Sequence, residues 1–104
     1  MSVVTAYVVF ADVGEAMRIG RIVVEERLAA CINVLAPGTS LYWWEGAVVQ
    51  SDEVPALLKT TKARADALIT RIEELHGYDV PAIVVWPIER LTANFGDWVE
   101  TVLR

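Results

Sequence analysis

Leu41-Tyr42-Trp43-Trp44-Glu45-Gly46-Ala47-Val48-Val49 reads as a tight β-hairpin. Two apolar runs meet at Glu45-Gly46, where glycine supplies the positive φ that a short hairpin turn wants. Extended outward, the pattern makes Ala30 to Thr60 two long strands folded on that turn. Pro37-Gly38 in the first arm and Pro55 in the second interrupt the ladder, because proline is tolerated in sheets only at edges, strand starts or bulges. Bends or bulges are expected at both places. At about 3.4 Å per residue, arms of roughly fourteen residues reach about 45 Å, against a radius of gyration near ~13 Å for a globule of this length. The tip, with Tyr42, Trp43 and Trp44, is therefore expected to overhang its own domain.

On the N-terminal side, Val3 to Phe10 is almost continuously apolar and β-branched, which suits a central strand buried on both faces. Asp12 followed by Glu15 forms a capping-box pattern that opens a helix running to about Leu28, with Ala16, Val23 and Val24 on its apolar stripe. On the C-terminal side, Thr61 stands at the N-cap of a second helix on which Leu68, Ile72 and Leu75 share one face. That helix is expected to end near His76-Gly77, with glycine as its punctuation. Pro81 to Pro87 is a short strand, and Thr92 caps a last helix carrying Phe95, Trp98 and Val99. The order β-α-β-β-α-β is that of an α+β, ferredoxin-like sandwich with an extended hairpin and a C-terminal helix, in a single domain spanning 1–104. Its first and third strands are central. Its fourth, Ala82-Ile83-Val84-Val85-Trp86, is an uncharged edge that invites pairing with another segment, and self-association is the economical way to cover it.

Composition points the same way. Hydrophobic residues make up 55% of the 104 residues, above the roughly 45–50% usual in soluble domains, yet no apolar run approaches the ~20 residues that span a bilayer. The excess suits a subunit interface. A formal charge of -5 without any basic cluster argues against a nucleic-acid partner. Cys31 is the only cysteine, and Met-Ser-Val-Val-Thr-Ala has no basic n-region or cleavage pattern, so the expected location is the cytoplasm, with no membrane association.

Chemistry-bearing residues are few. His76 is the only histidine, two residues before Tyr78, and histidine is the side chain suited to proton or metal chemistry near neutral pH. The alternative is a helix-end histidine that is simply packed. Cys31 has no basic neighbour in sequence to make it a thiolate, so it reads first as a small buried hydrophobe and second as a weak metal ligand. One thiol and one imidazole, without CxxC or HxxxH spacing, do not make a closed metal site within one chain. Lys59 sits in an interior strand, where an ammonium needs a partner or must snorkel to water. Counting outward from the Glu45-Gly46 turn places it near Ile32-Asn33, so that Lys59, Asn33 and the His76-Tyr78 connection are expected to line one polar pocket. Trp43, Trp44 and Tyr42 read as interface anchors ahead of ligand-stacking rings. No phosphate-binding glycine motif, nucleophile-base pair or paired-carboxylate motif is present, so no enzymatic activity is expected.

Glu26-Arg27-Leu28-Ala29-Ala30-Cys31-Ile32-Asn33, Ser40-Leu41-Tyr42-Trp43-Trp44-Glu45-Gly46, Leu58-Lys59-Thr60-Thr61 and Leu75-His76-Gly77-Tyr78-Asp79-Val80-Pro81, in this order, strongly resemble the CutA divalent-cation tolerance family. The resemblance spans nearly the whole chain. It implies a homotrimer of PII-like architecture with β pairing between subunits, and a link to tolerance of copper and other divalent cations. The copper ligands suggested in that family are a cysteine at the end of the first strand and adjacent histidines. Phe10-Ala11 and Leu75-His76 stand there in this chain, so only His76 carries over.

The expected function is that of a trimeric, cytoplasmic binding or signalling protein concerned with divalent cations, with a pocket at each subunit interface. Lys59, His76 and Tyr78 are the expected ligand-binding residues, with Asn33 and Trp44 as walls. Lys59 suits a small anionic ligand, while His76, with Cys31 as a lesser candidate, suits weak binding of a divalent cation such as Cu²⁺. The alternative is an interaction scaffold in which the same residues seal the trimer.

Overall fold

A computed structural model describes residues 2–104. Val3–Phe10 (β1), Cys31–Val34 (β2), Gly38–Trp44 (β3), Ala47–Thr61 (β4) and Ile83–Pro87 (β5) build one sheet, with helices Val13–Glu25 (α1), Lys62–Leu75 (α2) and Ala93–Val102 (α3). The strand order is β2-β4-β1-β5, with β3 paired to the far half of β4, and every pairing is antiparallel. This is the expected α+β, ferredoxin-like arrangement, with β1 and β4 central and β2 and β5 at the edges.

Side-chain alternation sorts the sheet into two faces. Ala6, Val8, Phe10, Ala56 and Leu58 point to one face and are buried beneath Ile19 and Val23 of α1 and Leu68 and Ile72 of α2. The reverse face has only partial cover. Val3 meets Val99 and Leu103 at the α3 end, whereas further along Tyr7 stacks on Trp86 at 5.8 Å and Val84 and Trp86 stay 48% and 43% exposed.

The hairpin is longer than the rest of the domain is wide, giving extents of 44 × 25 × 22 Å. At its tip both Glu45 (φ 49°) and Gly46 (φ 82°) are left-handed, the signature of a two-residue type I′ turn whose twist matches the flanking strands. Its first arm is broken as expected: between the pairs Val34↔Ala56 and Gly38↔Glu53, Leu35-Ala36-Pro37 faces only Val54-Pro55. Its second arm is not. Pro55 keeps the unbroken β1 register opposite Val9, and its carbonyl accepts the Leu35 N–H at 3.0 Å. Backbone N and C=O of a strand residue face the same side, so its missing N–H falls where the first-arm bulge has already loosened the ladder. That one-residue bulge also moves the register: Lys59 lies opposite Cys31, not Ile32-Asn33.

Helix ends differ from expectation in instructive ways. α1 stops at Glu25, short of Leu28, because Arg27 turns left-handed (φ 59°). Arg27 N–H then bonds Val24 O at 3.0 Å and Leu28 N–H bonds Val23 O at 2.9 Å, a Schellman closure that normally uses glycine. The Arg27 guanidinium donates to Val102 O at 2.6 Å, tying this turn to the end of α3. Asp12 caps α1 by accepting the Glu15 N–H at 2.8 Å. Thr61 and Thr92 occupy the N-cap positions of α2 and α3, but their hydroxyls make no capping bond.

Candidate functional site

α2 ends in a final turn bond from His76 N–H to Ile72 O at 2.8 Å, after which the backbone becomes extended. That break points the His76 ring inward, where its side chain is fully buried and stacks on Phe10 at 5.3 Å. Val9 O lies 2.8 Å from Nε2, and the Tyr78 amide donates to Nδ1 at 3.0 Å. A carbonyl can only accept and an amide N–H can only donate, so the ring is the neutral Nε2–H tautomer with both nitrogens engaged.

Glu15 fixes the same connection from the start of α1. One carboxylate oxygen accepts the Ala11 N–H at 2.9 Å and the other accepts the Gly77 N–H at 2.9 Å. Gly77 is not the left-handed helix stop that its position suggests. A Cβ there would come within 2.9 Å of Glu15 Oε2, so glycine lets the carboxylate approach the backbone closely, whereas a larger residue would make the flexible end of Glu15 shift. With both ends held, Tyr78 reaches across to the root of the hairpin and donates its hydroxyl to Glu53 Oε2 at 2.7 Å. Burial of the phenol, together with this bond and the negative charge of Glu53, pushes the Tyr78 pKa well above the usual tyrosine value.

Between the hairpin and this connection lies a groove of about 680 Å³, walled by Tyr42, Trp44, Glu53, Tyr78, Asp79 and Val80 among others. Tyr42 is oriented by a 2.8 Å hydrogen bond between its hydroxyl and that of Ser51. The lining contains carboxylates and aromatic rings but no lysine, arginine or histidine.

Of the five expected ligand residues, Trp44 and Tyr78 line this groove, and His76 lies beneath it as the group that holds Tyr78. Lys59 and Asn33 share the reverse sheet face with Glu53 but lie further along it, opposite Cys31 and Leu57 respectively. From Glu53 to Lys59 is six steps along β4, about 20 Å, so Lys59 does not join His76 and Tyr78 in one pocket within the chain. Glu53 and Glu15 are the site residues that the sequence did not single out. Glu15 was visible as a capping residue, but its second oxygen bonds a residue 62 positions away.

The CutA1 divalent ion tolerance protein profile matches residues 4–102. The chain belongs to the CutA1 family. It is 43% identical to the divalent-cation tolerance protein CutA of Thermus thermophilus, over 81% of this chain and 82% of that protein. Against the Pectobacterium atrosepticum CutA the identity is 36%, covering 86% of this chain and 81% of the other. The crystal structure of CutA from Xylella fastidiosa superposes with a TM-score of 0.97 at 30% identity over 100% of both chains. A structure described as the periplasmic divalent cation tolerance protein CutA from Archaeoglobus fulgidus superposes with a TM-score of 0.95 at 30% identity, over 98% of this chain and 99% of that one.

Membership in the CutA1 family raises the question of a metal, and the donors of a single chain do not fit one. Both His76 nitrogens are hydrogen-bonded, and Cys31 lies opposite Lys59 on the reverse face. Among the described residues, no group of three or more His, Cys, Asp and Glu is placed to hold a metal ion. Nor is any helix among them long and apolar enough to cross a membrane.

Proposed function

We propose that this CutA1-family chain works as a homotrimeric, PII-like binding or signalling protein in the cellular response to divalent cations, with a ligand groove bordering each subunit contact. The observation that carries the reading is the reverse sheet face. Val84 and Trp86 are 48% and 43% exposed on β5, a strand paired only with β1. An apolar face beside an unpaired edge is what a closed ring of copies covers, leaving no edge open. Val9, on that face, also lines the groove, so a neighbour seated on the face borders the groove.

The family's link to divalent ion tolerance supports the physiological side, and copper is proposed as one such cation. The donor set supports a response read through the groove rather than a tight metal centre in one chain. No catalytic role is part of the proposal. A cytoplasmic location belongs to it, consistent with a single unpaired cysteine.

Sedimentation equilibrium tests the assembly and should give three times 11.5 kDa. A stable monomer at micromolar concentration rejects it. A trimer whose groove is filled by a neighbour's side chains, with no ligand taken up, supports the scaffold instead.

A further inference from the structure

Glu53 is only 7% exposed. One carboxylate oxygen accepts the Tyr78 hydroxyl at 2.7 Å, yet Glu53 takes part in none of the ion pairs among the described residues. Carboxylates buried to this extent are ordinarily paired with a cation, because desolvating an uncompensated charge is expensive. The side chain faces the groove, where Asp79 adds a second carboxylate and Tyr42, Trp44 and Tyr78 supply ring surface, and no basic residue of the same chain lines the space. Aromatic faces attract cations through the ring quadrupole, most effectively out of water, and a neighbouring carboxylate adds charge complementarity.

We propose that the groove binds a small organic cation of the amine class, with Glu53 as its counter-charge and Tyr42, Trp44 and Tyr78 as the walls around its ammonium and apolar body. This deepens the functional reading above, on whose ligand groove it rests, and it replaces the anionic ligand expected from Lys59. Lys59 shares the reverse face with Glu53 but lies about 20 Å along β4 from it within the chain. A bare divalent cation fits less well: it prefers several oxygen or imidazole donors, and the groove offers chiefly ring faces.

The test is a charge series of near-equal shape, benzylammonium, benzyl alcohol and benzoate, titrated into the full-length protein and followed by tryptophan emission and calorimetry. Benzylammonium should bind at least about tenfold more tightly than the alcohol, with benzoate weakest, and Glu53→Gln should remove the preference for the cation. Because the series is read on the wild type, the result stands even if Glu53→Gln folds poorly, and Asp79→Asn provides a surface variant expected to weaken the cation less. Sedimentation is run on every variant. Equal binding of the cation and the alcohol overturns the proposal, as does a preference that persists in Glu53→Gln. Tighter binding of benzoate overturns it while leaving the groove a ligand site. A trimer that takes up none of the three overturns both this inference and the ligand reading. A monomer that prefers the cation supports the inference and rejects only the assembly.

Discussion

Tyr78 is bonded at both ends to groups far apart in sequence: its amide donates to His76 Nδ1 at 3.0 Å and its hydroxyl to Glu53 Oε2 at 2.7 Å. The connection after α2 is thereby stitched to the root of the hairpin, and the groove between them takes its shape from that stitch. Removing the hydroxyl leaves a nearly buried carboxylate without its donor. Tyr78→Phe should lower unfolding stability by about 1–3 kcal/mol, measured by chemical denaturation at neutral pH.

The same bond makes a pH prediction. The folded state holds the Tyr78 phenol protonated because burial and the Glu53 carboxylate both raise its pKa, whereas the unfolded chain ionises near the ordinary value of about 10. The stabilisation is therefore complete below pH ~10 and is lost as pH rises from there toward the folded value. Wild type should lose stability above pH ~10 more steeply than Tyr78→Phe does. Absorbance at alkaline pH should show the same tyrosinate rise in both until the fold opens, and a smaller rise in the variant would mean that Tyr78 titrates with the others.

Gly77→Ala places a methyl group within 2.9 Å of Glu15 Oε2. The flexible end of Glu15 can shift aside, weakening its bond from the Gly77 amide, so a loss of no more than about 1 kcal/mol is expected, read as a lower denaturation midpoint at unchanged slope. Combining it with Glu15→Gln should give less than the sum of the two, because both act on one contact.

How far the sequence reveals this molecule depends on the range of the interaction. Periodicity and turn chemistry are local, so the β1, β4 and α2 assignments and the Glu45-Gly46 turn follow directly from the residues. The Schellman stop at Arg27 is hidden because no glycine marks it. The residue is held left-handed within a turn whose guanidinium bonds a carbonyl 75 residues away. The count from the turn places Lys59 near Ile32-Asn33 before any shift for a bulge, and the single bulge expected near Pro37-Gly38 moves it by one position to Cys31. Tyr78 and Trp44 were legible as groove residues from their chemistry, whereas Glu53 became one only through a partner 25 positions on.

Glu45 carries a Cβ at a left-handed position of the hairpin turn, a conformation that asparagine and glycine tolerate better. Glu45→Asn should raise stability by roughly 0.5–1 kcal/mol without altering assembly. A thermal shift compared at fixed protein concentration checks it, since the midpoint of an oligomer moves with concentration.

Val84 stands half exposed on the reverse face of β5, where the proposed trimer buries it. An arginine placed there meets the apolar face of a neighbour, and an unpaired charge at the centre of an interface costs several kcal/mol. Val84→Arg should therefore shift sedimentation from trimer to monomer while circular dichroism stays near wild type, because the substituted side chain points away from the helix-covered core. A trimer unaffected by this change would place the subunit contact on another surface.

Copper gives the sharpest separation between a packed histidine and a ligand. A metal at His76 must displace either the Tyr78 amide from Nδ1 or the proton that Nε2 donates to Val9 O, and the fully buried ring must also leave Phe10. Metal binding therefore competes with the fold, so any Cu²⁺ binding by the wild type should be weaker than about 1 μM. His76→Ala removes the stack and both hydrogen bonds. It should lower stability by about 2–4 kcal/mol while leaving copper affinity within about threefold of wild type. Calorimetric titration beside chemical denaturation separates the outcomes: a submicromolar site that His76→Ala abolishes with little loss of stability would show that the imidazole is a metal ligand first and a structural pin second.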